Sequence, residues 1–430
     1  VKIAFIVPVF PSLSQTFVLN QITGLMDLGH EVDIFAYTKI NDAKIHPDVF
    51  KYGLLERTCY YSDSHIGIPK NKFVRILKGI VLAATKVSLN PSAVLNSLNI
   101  IRYRRQAATF RLLFSILPFI QRDHYEIIHC HFGTLANHIL LMKELGAING
   151  KLCTTFHGYD ISTFLKNQDA DIYQKLFAEG DLFLPISQHW KRKLIKLGCD
   201  EDRIKVHRMG IDLSRFEFRK RPVSKNGTLN ILTVARLVEK KGIEYGIKAV
   251  AQVLREYPDI VYRIAGDGPL LKKLEGLIQH LKVGENIHLL GPVEQAGVIN
   301  LMMKSDILLA PSVTAKDGDQ EGIPVVLMEA FGTGLPIIST FHSGIPELVQ
   351  DGVSGFLVPE RDVEGLREKL IDLISKPELR LEMGLAGRKF VEKEYDIVKL
   401  NNSLAATYES MLPGFCKCRV CRTCNAPQGV

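Results

Sequence analysis

The sequence predicts an α/β protein of two doubly wound parallel-sheet, Rossmann-like domains that face a cleft. Three observations predict it. Short apolar runs alternate with helically spaced segments from end to end, the pattern of repeated β–α–β units. The 430 residues suffice for two cores, at a prior of about 100–200 residues per domain. Gly210, Pro222, Ser224, Asn226 and Gly227 crowd residues 208–228, which reads as a linker between the halves.

The first unit covers residues 1–207. Lys2 to Val7 is a strand, Ser14 to Leu28 has helical spacing, and Val32 to Ala36 is the next strand. The turn from Pro8 to Thr16 therefore lies at the carboxyl end of the first strand, where open α/β sheets bind ligands. It holds hydroxyls and no G-x-G-x-x-G, which argues against a nicotinamide or flavin enzyme. Ile127 to Cys130 leads to His131, Lys151 to Thr155 leads to His157 and Asp160, and Leu182 to Ile186 leads to Ser187, a candidate helix cap. The second unit runs from 229 to 396, with strand-like runs at Ile231–Ala235, Val261–Ala265, Ile287–Leu290, Ile307–Ala310, Ile337–Ser339 and Phe356–Val358. A helix over 397–415 follows and is expected to cross back to the first unit, ahead of a tail at 416–430.

No apolar stretch reaches the roughly 18–20 residues needed to span a bilayer. Ile3 to Phe10 is apolar but short and reads as a strand, not an export signal. Between residues 64 and 122 there are ten cations and no carboxylate, more than the whole net charge of +8. They alternate with Phe73, Leu77, Ile80, Val81, Ile100 and Ile101, as in a basic amphipathic surface for anionic lipid. The bland alternative is a pair of helices with a solvated basic face. Aromatic stacking platforms are absent, so nucleic acid is not an expected partner. Four cysteines are scattered. Cys416, Cys418, Cys421 and Cys424 form a metal-type run in a tail without a core, read as a non-functional tail. The expected location is cytoplasmic, peripheral on the inner face of the cell membrane.

The chain is organised around Glu321 to Ala330. Pro324 fits a first helical position, with helix from Val325 to Phe331. The free N–H groups of that turn favour an anion, so Ile323, Pro324 and Val325 are read as lining the donor site, and Gly322 lets a ligand approach the backbone. Glu321 and Glu329 lie eight positions apart, about 12 Å along a helix. A hydrolytic carboxylate pair needs roughly 5 to 9.5 Å. The two suit opposite ends of a sugar nucleotide whose diphosphate sits between them; the bland alternative, left open by the spacing, is a loop carboxylate in solvent and a half-buried helix carboxylate. Arg236 and Lys241 follow the first strand of this unit and suit a diphosphate that gains charge as it leaves. Asp317-Gly318-Asp319 reads as a flexible loop in preference to a metal site.

The ordered set Ala-Arg-Leu…Lys-Gly (235–242), Ala-Gly-Asp-Gly-Pro (265–269), Leu-Gly-Pro-Val (290–293), Leu-Leu-Ala-Pro-Ser (308–312) and Glu-x7-Glu (321–329) resembles glycosyltransferase family 4, retaining enzymes of GT-B fold. His129-Cys130-His131-Phe132-Gly133, Phe156-His157-Gly158-Tyr159-Asp160 and Asp317 to Pro324 resemble its exopolysaccharide subgroup of the colanic acid type. The resemblance implies that Glu321 contacts donor-sugar hydroxyls, Glu329 holds the ribose, Arg236 and Lys241 bind the diphosphate, and backbone near Val293 recognises the base. It places His157 at the reacting face of the sugar, with His131 and Asp160 as neighbours. Many members have a Gly-Gly pair in the first loop. Here Ser14-Gln15-Thr16 stands there, so hydroxyl or backbone donors of Ser14 and Thr16 are expected to replace it. The implied activity is retaining transfer of a hexose from a UDP- or GDP-sugar to a glycan or lipid-linked acceptor, with no metal or other cofactor required. The rival readings are a GT-B nucleotide-sugar epimerase and a non-catalytic sugar- or lipid-binding partner of a polysaccharide assembly.

Overall fold

A computed structural model describes residues 1–12, 16–39, 45–122, 124–169, 171–220 and 228–413. The first unit has strands β1 (Lys2–Val9), β2 (Glu31–Thr38), β3 (Thr58–Tyr60), β4 (Ile127–His131), β5 (Lys151–Phe156) and β6 (Leu182–Pro185). The second has β7 (Leu229–Val234), β8 (Ile260–Ala265), β9 (Ile287–Gly291), β10 (Ile307–Leu309), β11 (Ile337–Thr340) and β12 (Gly355–Val358). Each set forms one six-stranded sheet, ordered β3-β2-β1-β4-β5-β6 and β12-β11-β10-β7-β8-β9. All pairings are parallel. The two orders are the same once each unit is counted from its own first strand. In each, the direction of winding reverses beside that strand, between β1 and β4 and between β7 and β10. Such a reversal opens a crevice at the carboxyl edge, where ligands bind.

The strands read as near-continuous apolar runs because helices cover both faces of each sheet. Phe5 pairs with Ile34 on one side and His129 on the other. Ile3, Phe5 and Val7 pack with Ile22, and Ala4, Ile6 and Phe35 pack with Phe119 on the opposite face. In the second unit Leu308 lies beside Leu232 and Ile337.

β3 has no counterpart in the sequence reading. It is a three-residue edge strand, only half-buried, so it shows no apolar run. The segment after it contains helices at Lys72–Lys86, Pro91–Ser97, Ile100–Ala108 and Arg111–Ile120, not a pair. Residues 211–218 are packed, not a spacer. Ile211, Leu213 and Phe216 are buried with Phe331 in the second core. Ile211 also exchanges backbone hydrogen bonds with the 395–397 segment. Pro222, Ser224, Asn226 and Gly227 lie outside the described residues, as do Cys416, Cys418, Cys421 and Cys424. The helix Ile397–Met411 puts Leu404, Ala405 and Tyr408 into the core beside β1. Its Asn401 Nδ2 donates to the Asn20 carbonyl at 3.0 Å. No described helix is long and apolar enough to cross a membrane.

Candidate active site

Because all strands of a unit run parallel, their carboxyl ends share one edge. In the second unit that edge carries Arg236 after β7, Val293 after β9, Glu321 in the long loop after β10, His342 after β11 and Glu360 after β12. In the first it carries Thr16 after β1, His131 at the end of β4, and His157 and Asp160 after β5. The edges meet. Glu347 of the second unit accepts hydrogen bonds from the Gln188 and His189 backbones, both at 2.8 Å. It thereby supplies a carboxylate to the start of the helix Gln188–Lys196, which Ser187 also caps by accepting from Trp190 N–H.

The two edges also touch at Gly322. A Cβ built there would sit 2.7 Å from Ile186 Cδ1 and 3.2 Å from the His157 carbonyl. Gly322 therefore makes room for the facing unit. Pro324 is the residue before the helix, with φ −62° and ψ 124°, and not its first helical residue; the helix spans Val325–Gly332. No side chain caps it; Leu327 N–H is taken by the Pro324 carbonyl, which leaves the Val325 and Val326 N–H groups available to an anion. Half of the span from Glu321 to Glu329 is thus non-helical, and the 12 Å helical estimate does not describe it.

Glu321 is buried, and its Oε2 lies 3.1 Å from Lys241 Nζ. Lys240 Nζ stands 3.9 Å from Oε1, which accepts no hydrogen bond among the described residues. Burial pushes the Glu321 carboxyl up, but Lys241 and Lys240 together outweigh it and hold the group below the usual carboxylate range. Its backbone is fixed as well. Glu321 N–H donates to His342 Nε2 at 3.0 Å, and Ser343 Oγ donates to the Glu321 carbonyl at 2.6 Å. Since His342 Nε2 accepts, Nδ1 carries the proton and donates to Glu360 Oε1 at 2.6 Å. Glu360 also accepts from Thr314 N–H and Oγ1.

Lys241 is thus paired with Glu321 in addition to facing the crevice. An ammonium has three N–H donors, so two remain for a phosphate. Arg236 is exposed and enters no ion pair among the described residues. Asp319 is not a free loop carboxylate, because its Oδ2 lies 3.0 Å from Lys240 Nζ. One turn into the helix Glu329 is half-buried. Burial raises its carboxyl, opposed by Arg215 and by a hydrogen bond from Gln295. Arg215 Nη2 itself donates to Gln295 Oε1 at 3.0 Å. Val293 packs against the second core, while Ile323 is buried in it.

Across the cleft, His129, His131 and His157 form a stack. Their ring centroids are 4.6 Å and 5.2 Å apart in turn. His131 Nδ1 and His157 Nε2 share a hydrogen bond of 3.0 Å. His157 Nδ1 is buried and has no partner among the described residues. Burial lowers His157 to about 3, so at neutral pH the ring is uncharged and offers a hydrogen bond, not a proton reservoir. His129 bonds the Tyr408 hydroxyl from the C-terminal helix and Thr155 Oγ1 at 2.7 Å. Asp160 is committed to bracing. Its oxygens accept from the backbones of His157, Gly158 and Gly133 at 3.1, 3.0 and 2.9 Å. It ties the β4 and β5 loops together and does not face the crevice with a free oxygen. Thr16 opens the helix Thr16–Asp27 at the end of the β1 loop; Ser14 lies outside the described residues.

His342, Glu360, Lys240, Arg215 and Gln295 join this site without having been singled out from sequence. The signal for His342 and Glu360 is positional: each follows a buried strand at the carboxyl edge. Arg215 and Gln295 carry no motif.

The Glycosyltransferase Family 4 model matches residues 14–215, and the Glycosyl transferases group 1 model matches residues 214–390. The putative colanic acid biosynthesis glycosyltransferase WcaL of Salmonella typhimurium is 37% identical over 95% of this chain and 100% of its own length. This chain is a family 4 glycosyltransferase. The amylovoran biosynthesis glycosyltransferase AmsK of Erwinia amylovora is 36% identical to this glycosyltransferase over 92% of the chain and 96% of AmsK. Among solved structures, Anabaena Alr3699/HepE in complex with UDP and glucose has a TM-score of 0.66. It is 17% identical over 95% of this chain and 99% of its own, so that likeness speaks to the shared GT-B fold alone. The glycosyltransferase divides between its two family matches at residue 214 or 215, inside the segment that packs Leu213 and Phe216 into the second core.

Proposed function

We propose that this glycosyltransferase moves a hexose with retention from a UDP- or GDP-sugar to a glycan or lipid-linked acceptor in exopolysaccharide synthesis. The observation that carries the reading is Glu321. It is a buried carboxylate held charged by two lysines, beside an uncapped helix start and across the cleft from an unpartnered His157 nitrogen. Glu321 Oε1 accepts from donor-sugar hydroxyls, and His157 hydrogen-bonds the sugar from the opposite side. The diphosphate lies on the Val325 helix start, within reach of Lys241 and Arg236. Glu329, steadied by Gln295 and Arg215, accepts from the ribose hydroxyls. Backbone near Val293 meets the base, and Thr16 with the neighbouring Ser14 contributes hydroxyls to the phosphate.

In the reaction the bond from the anomeric carbon to the diphosphate oxygen breaks, and a bond to the acceptor oxygen forms on the same face. The departing phosphate oxygen takes the acceptor's proton. Negative charge grows on the phosphate, where fixed cations and helix N–H groups are worth most. Those groups supply the role that a metal plays elsewhere, so transfer is expected to survive chelation. Two relatives, from Corynebacterium glutamicum and Mycolicibacterium smegmatis, are GDP-mannose-dependent mannosyltransferases; structures of HepE hold UDP and UDP-glucose. Both bases therefore belong in the test. The acceptor reading extends to an anionic membrane surface met by residues 64–122, with the enzyme peripheral on the cytoplasmic face.

The experiment is a panel of UDP- and GDP-sugars, with thermal shift and donor hydrolysis as readouts, with and without EDTA. One nucleotide series should stabilise the protein and be slowly hydrolysed without acceptor. Absence of both effects across the panel would contradict the reading. An epimerase would instead return an isomerised sugar nucleotide.

A further inference from the structure

We propose that the outward face of the helix Lys72–Lys86 inserts into the interface of an anionic bilayer, with Ile100 and Ile101 as a second apolar contact. This deepens the membrane reading above by naming the surface that meets the lipid. At about 100° per residue, Phe73, Val74, Leu77, Ile80, Val81 and Ala84 fall on one stripe of this helix. Lys78 flanks the stripe on one side and Lys72 on the other. The stripe faces solvent: Phe73 is 83% exposed and Leu77 69%, while Ile101 on the neighbouring helix is 95% exposed.

The opposite face is already used by the fold. A Cβ at Gly79 would lie 2.5 Å from the Phe110 ring. Leu82 and Ala83 pack against the first core. Arg75 donates to the carbonyls of Thr109 and Pro69 at 2.8 and 3.0 Å. The helix is therefore anchored on one side and apolar on both. A solvated surface helix has no need of a second apolar face, and exposed apolar area of this extent marks an interaction surface.

Charge selects the occupant. Lys70, Lys72, Lys78, Arg104 and Arg105 form no ion pair among the described residues, and residues 64–122 contain no carboxylate of their own. A second copy of the chain would bring the same cations against these. Lipid phosphates complement them, and the apolar stripe between the lysines matches the depth profile of an interfacial helix. Not every cation of the segment belongs to this surface. Arg102 lies 2.5 Å from Glu144, and Arg111 pairs with Asp63, so charge removal at those sites tests a different feature.

The segment leaves the sheet at the carboxyl end of β3 and runs along the unit to the opposite edge, where Arg102 and Tyr103 reach Glu144 at the end of the helix Gly133–Glu144.

The test is flotation of the full chain with phosphatidylcholine vesicles, with and without phosphatidylglycerol, at low and high salt. The parent should float only with phosphatidylglycerol and lose binding in salt. Leu77→Glu should reduce the bound fraction about tenfold, and Lys72→Ala with Lys78→Ala should weaken binding and flatten its salt dependence. Leu77→Trp adds a reporter beside the single native tryptophan, Trp190, which is buried. Its emission should shift to the blue on vesicles. Thermal shift with whichever nucleotide series stabilises the parent in the panel confirms folding of each variant without requiring transfer. Loss of donor binding in every protein would count against the catalytic reading and leave the vesicle result readable. Flotation unchanged by Leu77→Glu would overturn the proposal. So would a parent dimer that this substitution dissociates while vesicles bind neither form.

Discussion

Replacing Glu321 by Gln tests the site most sharply, because it removes one charge from a buried cluster and little shape. With Lys241 Nζ at 3.1 Å, an effective dielectric near 20 gives an attraction of about 5 kcal/mol before desolvation. Burying both groups cancels much of it. Losing one partner of a buried pair typically costs about 3–5 kcal/mol. Both lysines here are partly exposed and Gln keeps an acceptor, so the stability loss should be nearer 1–3 kcal/mol. Transfer should suffer more. A preorganised polar contact to the reacting group is worth about 10²–10³-fold in rate. Nucleotide affinity should move the other way or not at all, since Lys241 no longer divides its donors between Glu321 and phosphate. Isothermal titration with UDP or GDP should show a change within about threefold, or about 0.7 kcal/mol. Equal losses in transfer and in nucleotide affinity would refute the assignment of Glu321 to the sugar.

Four further outcomes follow from the geometry. Glu329→Ala should weaken nucleotide binding about tenfold while leaving hydrolysis of saturating donor close to normal; unchanged affinity would remove Glu329 from the ribose. Gly322→Ala places a methyl 2.7 Å from Ile186 and 3.2 Å from the His157 carbonyl. It should lower transfer by disturbing the meeting of the two edges while nucleotide affinity stays within a few-fold, and parent-like transfer would mean that contact is dispensable. Glu360→Gln should lower transfer through His342 and the Glu321 backbone while nucleotide affinity stays within a few-fold; a change in stability alone, with transfer intact, would mean that it only braces. Acid should destabilise the protein. Burial lowers His129 and His157 to about 3 and His207 to about 4. The unfolded chain therefore binds protons below about pH 6.5 that the native state refuses. Each such histidine removes up to about 1.4 kcal/mol per pH unit there. Asp160, raised by burial to about 6, and Glu329, raised as well, oppose this, but His131 is also lowered by burial and adds to the three. The urea midpoint should fall between about pH 7 and 5, and a flat or rising midpoint would contradict the buried neutral stack.

The second sheet was legible because each of its strands is an apolar run ending in polar or Gly-containing sequence. The same rule placed Arg236, His157 and the Glu321 loop at carboxyl edges. β3 was not legible, because a three-residue edge strand need not be buried on both faces. Residues 211–218 misled, since Gly210 and the Pro and Gly residues further on outweighed the spacing of Ile211, Leu213 and Phe216. Within the site, sequence separated groups that the structure couples. Nothing local joins Lys241 to Glu321, His342 to the Glu321 backbone, or Tyr408 to His129 across 279 positions. The packing partner of Gly322 comes from the other unit, so nothing near it in sequence announces that contact.

The account turns on a donor bound across the Val325 helix start and cleaved with attack from the same face. The most direct measurement is the anomeric configuration of the first transfer product, read by proton NMR before any equilibration, using the sugar nucleotide that gives the thermal shift. The product should keep the configuration of the donor, and Glu321→Gln should yield little product while still binding nucleotide. A product of opposite configuration from the parent enzyme would contradict the account.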